Sequence, residues 1–214
     1  MADAVILVLD TATRRPTVGL ANAGGQLIAS RAWASQHRHG EELLTRLDEV
    51  LAEASMARRA IGGVIVGTGP GSFTGLRIGL ATAKTIAYTL DVPIVGISST
   101  RALALDATAG GTVGSEIAVW LPAGAADRYV HRFRLTDGVP AELEPPQLVV
   151  TPPGADETAG EEIDGLAVAL AKLGASAFDS GEHDDAGALV PAYVALPRGI
   201  AAAAAEMTWS PDLR

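Results

Sequence analysis

The feature that most constrains this chain is Gly67-Thr68-Gly69-Pro70-Gly71-Ser72-Phe73-Thr74-Gly75-Leu76-Arg77, which runs from an apolar segment through a glycine-rich turn into a helix. Its four glycines and one proline allow backbone angles and close approaches that other residues resist. Amides at the start of the following helix can face an anion. No Gly-Lys-Ser/Thr follows at the Walker A spacing, and the dinucleotide pattern G-x-G-x-x-G is absent, so neither nucleotide-loop motif names it.

The flanking sequence reads as strand, strand, strand, helix, strand, helix, strand. Val5-Ile6-Leu7-Val8-Leu9 is a continuous apolar run ending at Asp10, as in a strand buried on both faces. Residues 17–21 and 26–33 flank Asn22-Ala23-Gly24-Gly25, a hairpin signal. Over 40–54, Leu43, Leu44, Leu47, Val50, Leu51 and Ala54 recur at helical spacing among charged residues. Residues 61–66 read as a buried strand, 75–90 as a helix stopped by Asp91-Val92-Pro93, and 94–97 as the next strand. Within 75–90, Gly75, Gly79, Ala83 and Ala87 form a stripe of small side chains. Such a stripe suits either packing on the chain's own sheet or the close approach of a partner helix.

Beyond Asp106 the composition shifts to Gly, Ala and Thr, which predicts a boundary between domains at 1–106 and 107–214. Strands are expected over 116–121 and 129–135, and a short terminal helix over 201–205 that could pack back on the first domain. Residues 156–185 carry nine acids against Lys172 and read as a solvated face, since they lack EF-hand spacing.

The 214 residues suffice for a real core, and the formal charge of −9 disfavours autonomous binding to a polyphosphate backbone. Zero cysteines exclude disulfides and thiolate chemistry. No apolar run reaches the roughly 18 residues that span a bilayer, and Met1-Ala2-Asp3-Ala4 lacks a basic signal-peptide start, so a cytoplasmic protein without membrane contact is expected.

At the end of the first strand, Asp10-Thr11-Ala12-Thr13 suits either a hydrated Mg²⁺ with phosphate oxygens or a turn in which the side chains satisfy backbone amides. His37 and His39 are two apart and cannot form an i, i+4 metal pair; His131 and His183 stand alone. All four read as surface or capping residues rather than metal ligands, and no metal site is expected. No Ser-His-Asp set or H-E-x-x-H motif is visible, though a triad can be dispersed in sequence.

Three segments in order, Asp10-Thr11-Ala12-Thr13, His39-Gly40-Glu41-Glu42-Leu43-Leu44 and the glycine loop extended through Ile78-Gly79-Leu80-Ala81-Thr82-Ala83-Lys84, resemble the TsaB (YeaZ) family of bacterial tRNA threonylcarbamoyladenosine biosynthesis. The similarity is close over 5–104 and loose afterwards, apart from Pro191-Ala192-Tyr193-Val194, which is similar to a family Pro-x-Tyr. The resemblance implies an α/β, two-lobe actin-like ATPase fold, each lobe a mixed sheet with helices. In the catalytic sister TsaD a histidine pair binds the metal; at those positions this chain has Ser99 and Leu103, which cannot replace two imidazoles. The implied role is a non-catalytic subunit pairing with TsaD and acting with TsaE, reaching tRNA only through that complex. The helices over 40–54 and 75–90 would form the dimer surface, with Leu43, Leu47, Gly75, Gly79 and Ala83 as contacts. A homodimer through the same helices is expected when the partner is absent. Asp10, Thr11, Thr13, Gly69, Gly71 and Ser72 would form a vestigial phosphate loop with weak ATP or ADP binding and Mg²⁺. The competing class is an independent phosphotransferase or peptidase-like enzyme of the same fold.

Overall fold

The computed structural model describes residues 4–34, 39–108, 112–124, 126–154, 156–159 and 165–194, with the backbone alone at 39–41 and 159. The chain forms β1 (Val5–Asp10), β2 (Thr17–Ala21), β3 (Leu27–Ala32), α1 (His39–Glu53), β4 (Ile61–Gly67), α2 (Phe73–Leu90), β5 (Ile94–Ile97) and α3 (Ser99–Ala107). It continues through β6 (Glu116–Pro122), β7 (Arg128–Thr136), β8 (Val139–Glu142), β9 (Gln147–Val149), β10 (Glu157–Ala159) and α4 (Leu166–Asp179). The helix expected over 201–205 lies outside the described residues, as does His37; the side chain of His39, the first residue of α1, does too.

The first sheet has the order β3-β2-β1-β4-β5: two antiparallel pairs on one side of β1, two parallel pairs on the other. Every residue of β1 is buried, because helices cover both faces of the sheet. Leu7 and Leu9 pack with Leu43, Leu47, Leu80 and Ala83 beneath α1 and α2. Ile6 and Val8 point the other way, into a second core with Val95, Leu103 and Leu170. The run of five apolar residues thus feeds two cores by its period of two.

The second sheet has the order β10-β6-β7-β8, with β9 also paired to β7. Val119, Leu121 and Phe133 of this sheet join the second core, so α3 and α4 fill the space between the two sheets. Gly174 lets α4 lie against the first sheet: a Cβ there would stand 2.4 Å from Ile65. The outer edge of β5 is capped by Asp184, whose N–H donates to Ile94 O at 2.8 Å while its carboxylate accepts from Gly96 N at 2.7 Å, which leaves that edge less open to another strand.

Neither α3 nor α4 has a counterpart in the sequence reading. The α4 sequence, LAVALAKLGASAFD, is small or apolar almost all round because it packs against the first sheet and against α3, so it lacks a polar stripe. The acids around it are not one solvated face: Glu157 is buried and ion-paired with buried Arg128, which also donates to Thr151 O and Pro152 O.

Candidate functional site

The end of β1, the glycine loop and the start of α3 meet at Asp10. Its carboxylate is fully buried, accepting from Ala12 N at 2.7 Å and from the Ser99 hydroxyl at 2.5 Å. Ser99 Oγ accepts in turn from Gly69 N at 3.0 Å, and Ser99 N donates to Gly69 O. Gly67 makes the approach feasible: a Cβ there would stand 1.7 Å from Asp10 Oδ2. Burial pushes the Asp10 carboxyl up to about 6, against the hydrogen bonds from Ser99 and Ala12, which favour the charged form.

Beside it, the Thr11 hydroxyl donates to Gly75 O at 2.6 Å, and Ser72 N donates to Ala12 O at 2.7 Å. Gly71 and Gly79 permit these contacts, since Cβ atoms there would fall 2.2 Å from Ala12 O and 2.3 Å from Thr11 Oγ1. Gly69 takes φ +95°, and Ser72 caps α2 by accepting from Gly75 N at 3.1 Å. Thr13 lies farther along the turn, bonded both ways to Arg15.

Asp10, Thr11, Gly69, Gly71 and Ser72 are therefore brought together as the sequence suggests, but the polar groups of Asp10, Thr11, Gly69 and Ser72 are bonded to Ala12, Gly75 and Ser99. A hydrated Mg²⁺ on Asp10 does not fit this arrangement, because both carboxylate oxygens are engaged and no atom of the group faces water. Among the described residues no three His, Asp or Glu side chains gather as a metal site.

The contacts proposed for a partner need correcting. Leu43 and Ala83 belong to the first core, and Gly75 and Gly79 are buried over Thr11, whereas Leu47, also part of that core, does line the groove between the helices. The small-residue stripe serves the chain's own sheet, because its glycines admit the β1–β2 turn. The face the helix pair turns outward is offset from it. Leu44 is 51% and Tyr88 86% exposed, and a groove of about 440 Å³ between the helices is lined by residues including Leu44, Ala81, Thr85, Ile86 and Leu90. Adjacent apolar residues at 43 and 44 were the available signal, since they cannot share one narrow stripe.

His131 also departs from the surface reading. It is buried on β7, its Nδ1 2.7 Å from Thr100 Oγ1 and its Nε2 3.1 Å from the Glu142 carboxylate, though the latter pair lacks hydrogen-bond alignment. Burial lowers its pKa, opposed by Glu142. The order hydroxyl, imidazole, carboxylate is that of a catalytic triad, but Thr100 has no exposed surface for a substrate to reach. The array ties α3 to the second sheet.

The Pro191-Ala192-Tyr193 segment returns to the glycine loop. Ala192 N donates to Thr68 O at 2.8 Å, and the Tyr193 ring lies 5.0 Å from that of Phe73, over which Arg77 sits at 5.3 Å. Lys84 of α2 holds the preceding turn through Leu189 O at 3.0 Å.

A solved YeaZ structure from Pseudomonas aeruginosa is similar over 89% of this chain and 99% of its own, with a TM-score of 0.73 and 24% identity; the chain thus has the two-lobed α/β fold expected of it. A protein of Mycobacterium tuberculosis is 33% identical over 135 residues, 63% of this chain and 60% of its own length. The Haemophilus influenzae tRNA threonylcarbamoyladenosine biosynthesis protein TsaB is 33% identical over 104 residues, 49% of this chain and 43% of its own. The matches thus span three fifths or less of these relatives' lengths. The family model described as TsaD, tRNA N6-adenosine threonylcarbamoyltransferase, matches residues 30–138. With that model covering half its length, the chain belongs to the TsaD family, and its similarity within that family is to the TsaB (YeaZ) proteins.

Proposed function

We propose that this chain is a non-catalytic scaffold subunit for threonylcarbamoyladenosine formation on tRNA. It pairs with TsaD through the outer faces of α1 and α2 and, with TsaE, supports transfer of a threonylcarbamoyl group from its adenylate to the adenosine beside the anticodon of tRNAs reading ANN codons. The observation that carries this reading is the apolar groove with exposed Leu44 and Tyr88 on the helix pair of a chain in this family. The non-catalytic part is supported by Ser99 and Leu103: both are buried, one spent on Asp10 and one in the core, where the resemblance places a metal-binding histidine pair in TsaD. The charge of −9 fits a subunit that leaves tRNA contact to its partners. Without TsaD, the same face pairs two copies of this chain.

The test is threonylcarbamoyladenosine formation by purified TsaD and TsaE with the wild-type chain, with Ala81→Glu, or with neither, alongside size-exclusion chromatography. Ala81 is exposed in the groove, so Ala81→Glu should leave the melting temperature unchanged while activity and co-elution fall together. Gly79 is unsuitable as the probe, because any side chain there strikes Thr11. A dispensable chain, or one that works unbound, overturns the reading in favour of an independent phosphotransferase or peptidase-like activity. Calorimetry with MgATP and MgADP tests the weak nucleotide site; binding lost in Asp10→Asn would favour the phosphotransferase.

A further inference from the structure

A cavity of about 600 Å³ opens between β5, α3, α4 and the turn joining β7 to β8, and shares no lining residue with the Asp10 cluster. Its volume is that of a small-molecule site. Val95, Leu105, Val139 and Leu173 give it apolar walls, and Arg101 from α3 and Lys172 from α4 bring positive charge.

Arg101 is the distinctive member. Its Nε donates to Pro140 O at 3.0 Å, which orients the guanidinium plane and leaves its two terminal nitrogens for other acceptors. Arg46, Arg58, Arg128, Arg132 and Arg134 each pair with a carboxylate. Among the described residues Arg101 pairs with none and lines a cavity instead. Two acids line the same space, and one of them, Asp184, is already bonded to Gly96 N; Glu182 stands on the exposed rim.

We propose that this cavity binds a small organic oxyanion, a carboxylate or phosphate on an apolar body, with Arg101 and Lys172 on the charged group and Leu105 and Leu173 against the body. A planar guanidinium with both terminal nitrogens free to donate suits either oxyanion. The site is independent of the helix-pair reading.

The experiment is an amide NMR titration of the full chain with phenyl phosphate, with benzoate, and with inorganic phosphate as the control lacking a body. Saturable shifts at the Gly96 and Gly138 amides are expected with at least one organic probe, at about tenfold higher affinity than inorganic phosphate. The preferred organic probe identifies the head group. Arg101→Gln should weaken binding about tenfold and Lys172→Gln several-fold; Lys172 is exposed, so its variant carries the test should Arg101→Gln unfold. Absence of saturable shifts at these amides, or affinity unchanged in the folded variants, would falsify the proposal.

Discussion

At Asp10, burial and hydrogen bonding pull against each other. Its folded-state pKa near 6 stands above the ordinary 3.8, so the folded state holds a proton that the unfolded chain gives up between those values. This contribution to stability is therefore greatest below about pH 4 and is lost as pH rises through 6, by about 3 kcal/mol at most. His131 has the opposite sign: its pKa is lowered from 6.5, so folding is disfavoured as pH falls below that value. In the wild-type chain the two slopes partly cancel between pH 7 and 5. Asp10→Asn removes the Asp10 slope and leaves that of His131 opposed by part-exposed Asp106, whose carboxyl pKa burial also raises, so its melting temperature should fall more steeply on acidification than that of wild type. Parallel melting curves across this range would contradict the assignment of Asp10 as a buried, high-pKa acid.

At the scale of elements, β7 and β10 are joined to the 151–152 segment by one side chain. Arg128 is almost wholly buried and reaches Glu157, Thr151 O and Pro152 O. Removing one partner of a buried pair leaves an uncompensated charge, at a cost of about 3–5 kcal/mol. Glu157→Gln should lower stability on that scale and speed amide exchange in 157–159 first, which hydrogen exchange would resolve. An exposed pair such as Arg134–Glu116 should show roughly 0–1 kcal/mol in the same assay. Nothing in the spacing of the acids in sequence separates Glu157 from its solvated neighbours; burial beside Arg128 does.

For the whole molecule, the second core is the decisive feature, because Leu170 of α4 packs in one cluster with Ile6 and Val8 of the first sheet and Val119 and Phe133 of the second. Two lobes sharing a core should melt together. Leu170→Ala should cost about 2–5 kcal/mol and lower a single calorimetric transition. Two separated transitions would show that the lobes are energetically independent. The sequence by itself determined the first sheet with its helix pair, since β1 ends at Asp10 after an unbroken apolar run and α1 repeats at helical spacing; both signals are local. It also assembled the Asp10 and glycine-loop group, because those residues close adjacent strands of one sheet. Which face of α2 looks outward, the burial of His131 beside Thr100, and the docking of α4 between the sheets were decided only by the tertiary structure. A helix with small residues on several sides has no preferred face until a turn such as Thr11 fills one of them, and contacts between residues 31 or 64 positions apart leave no periodic trace in the chain.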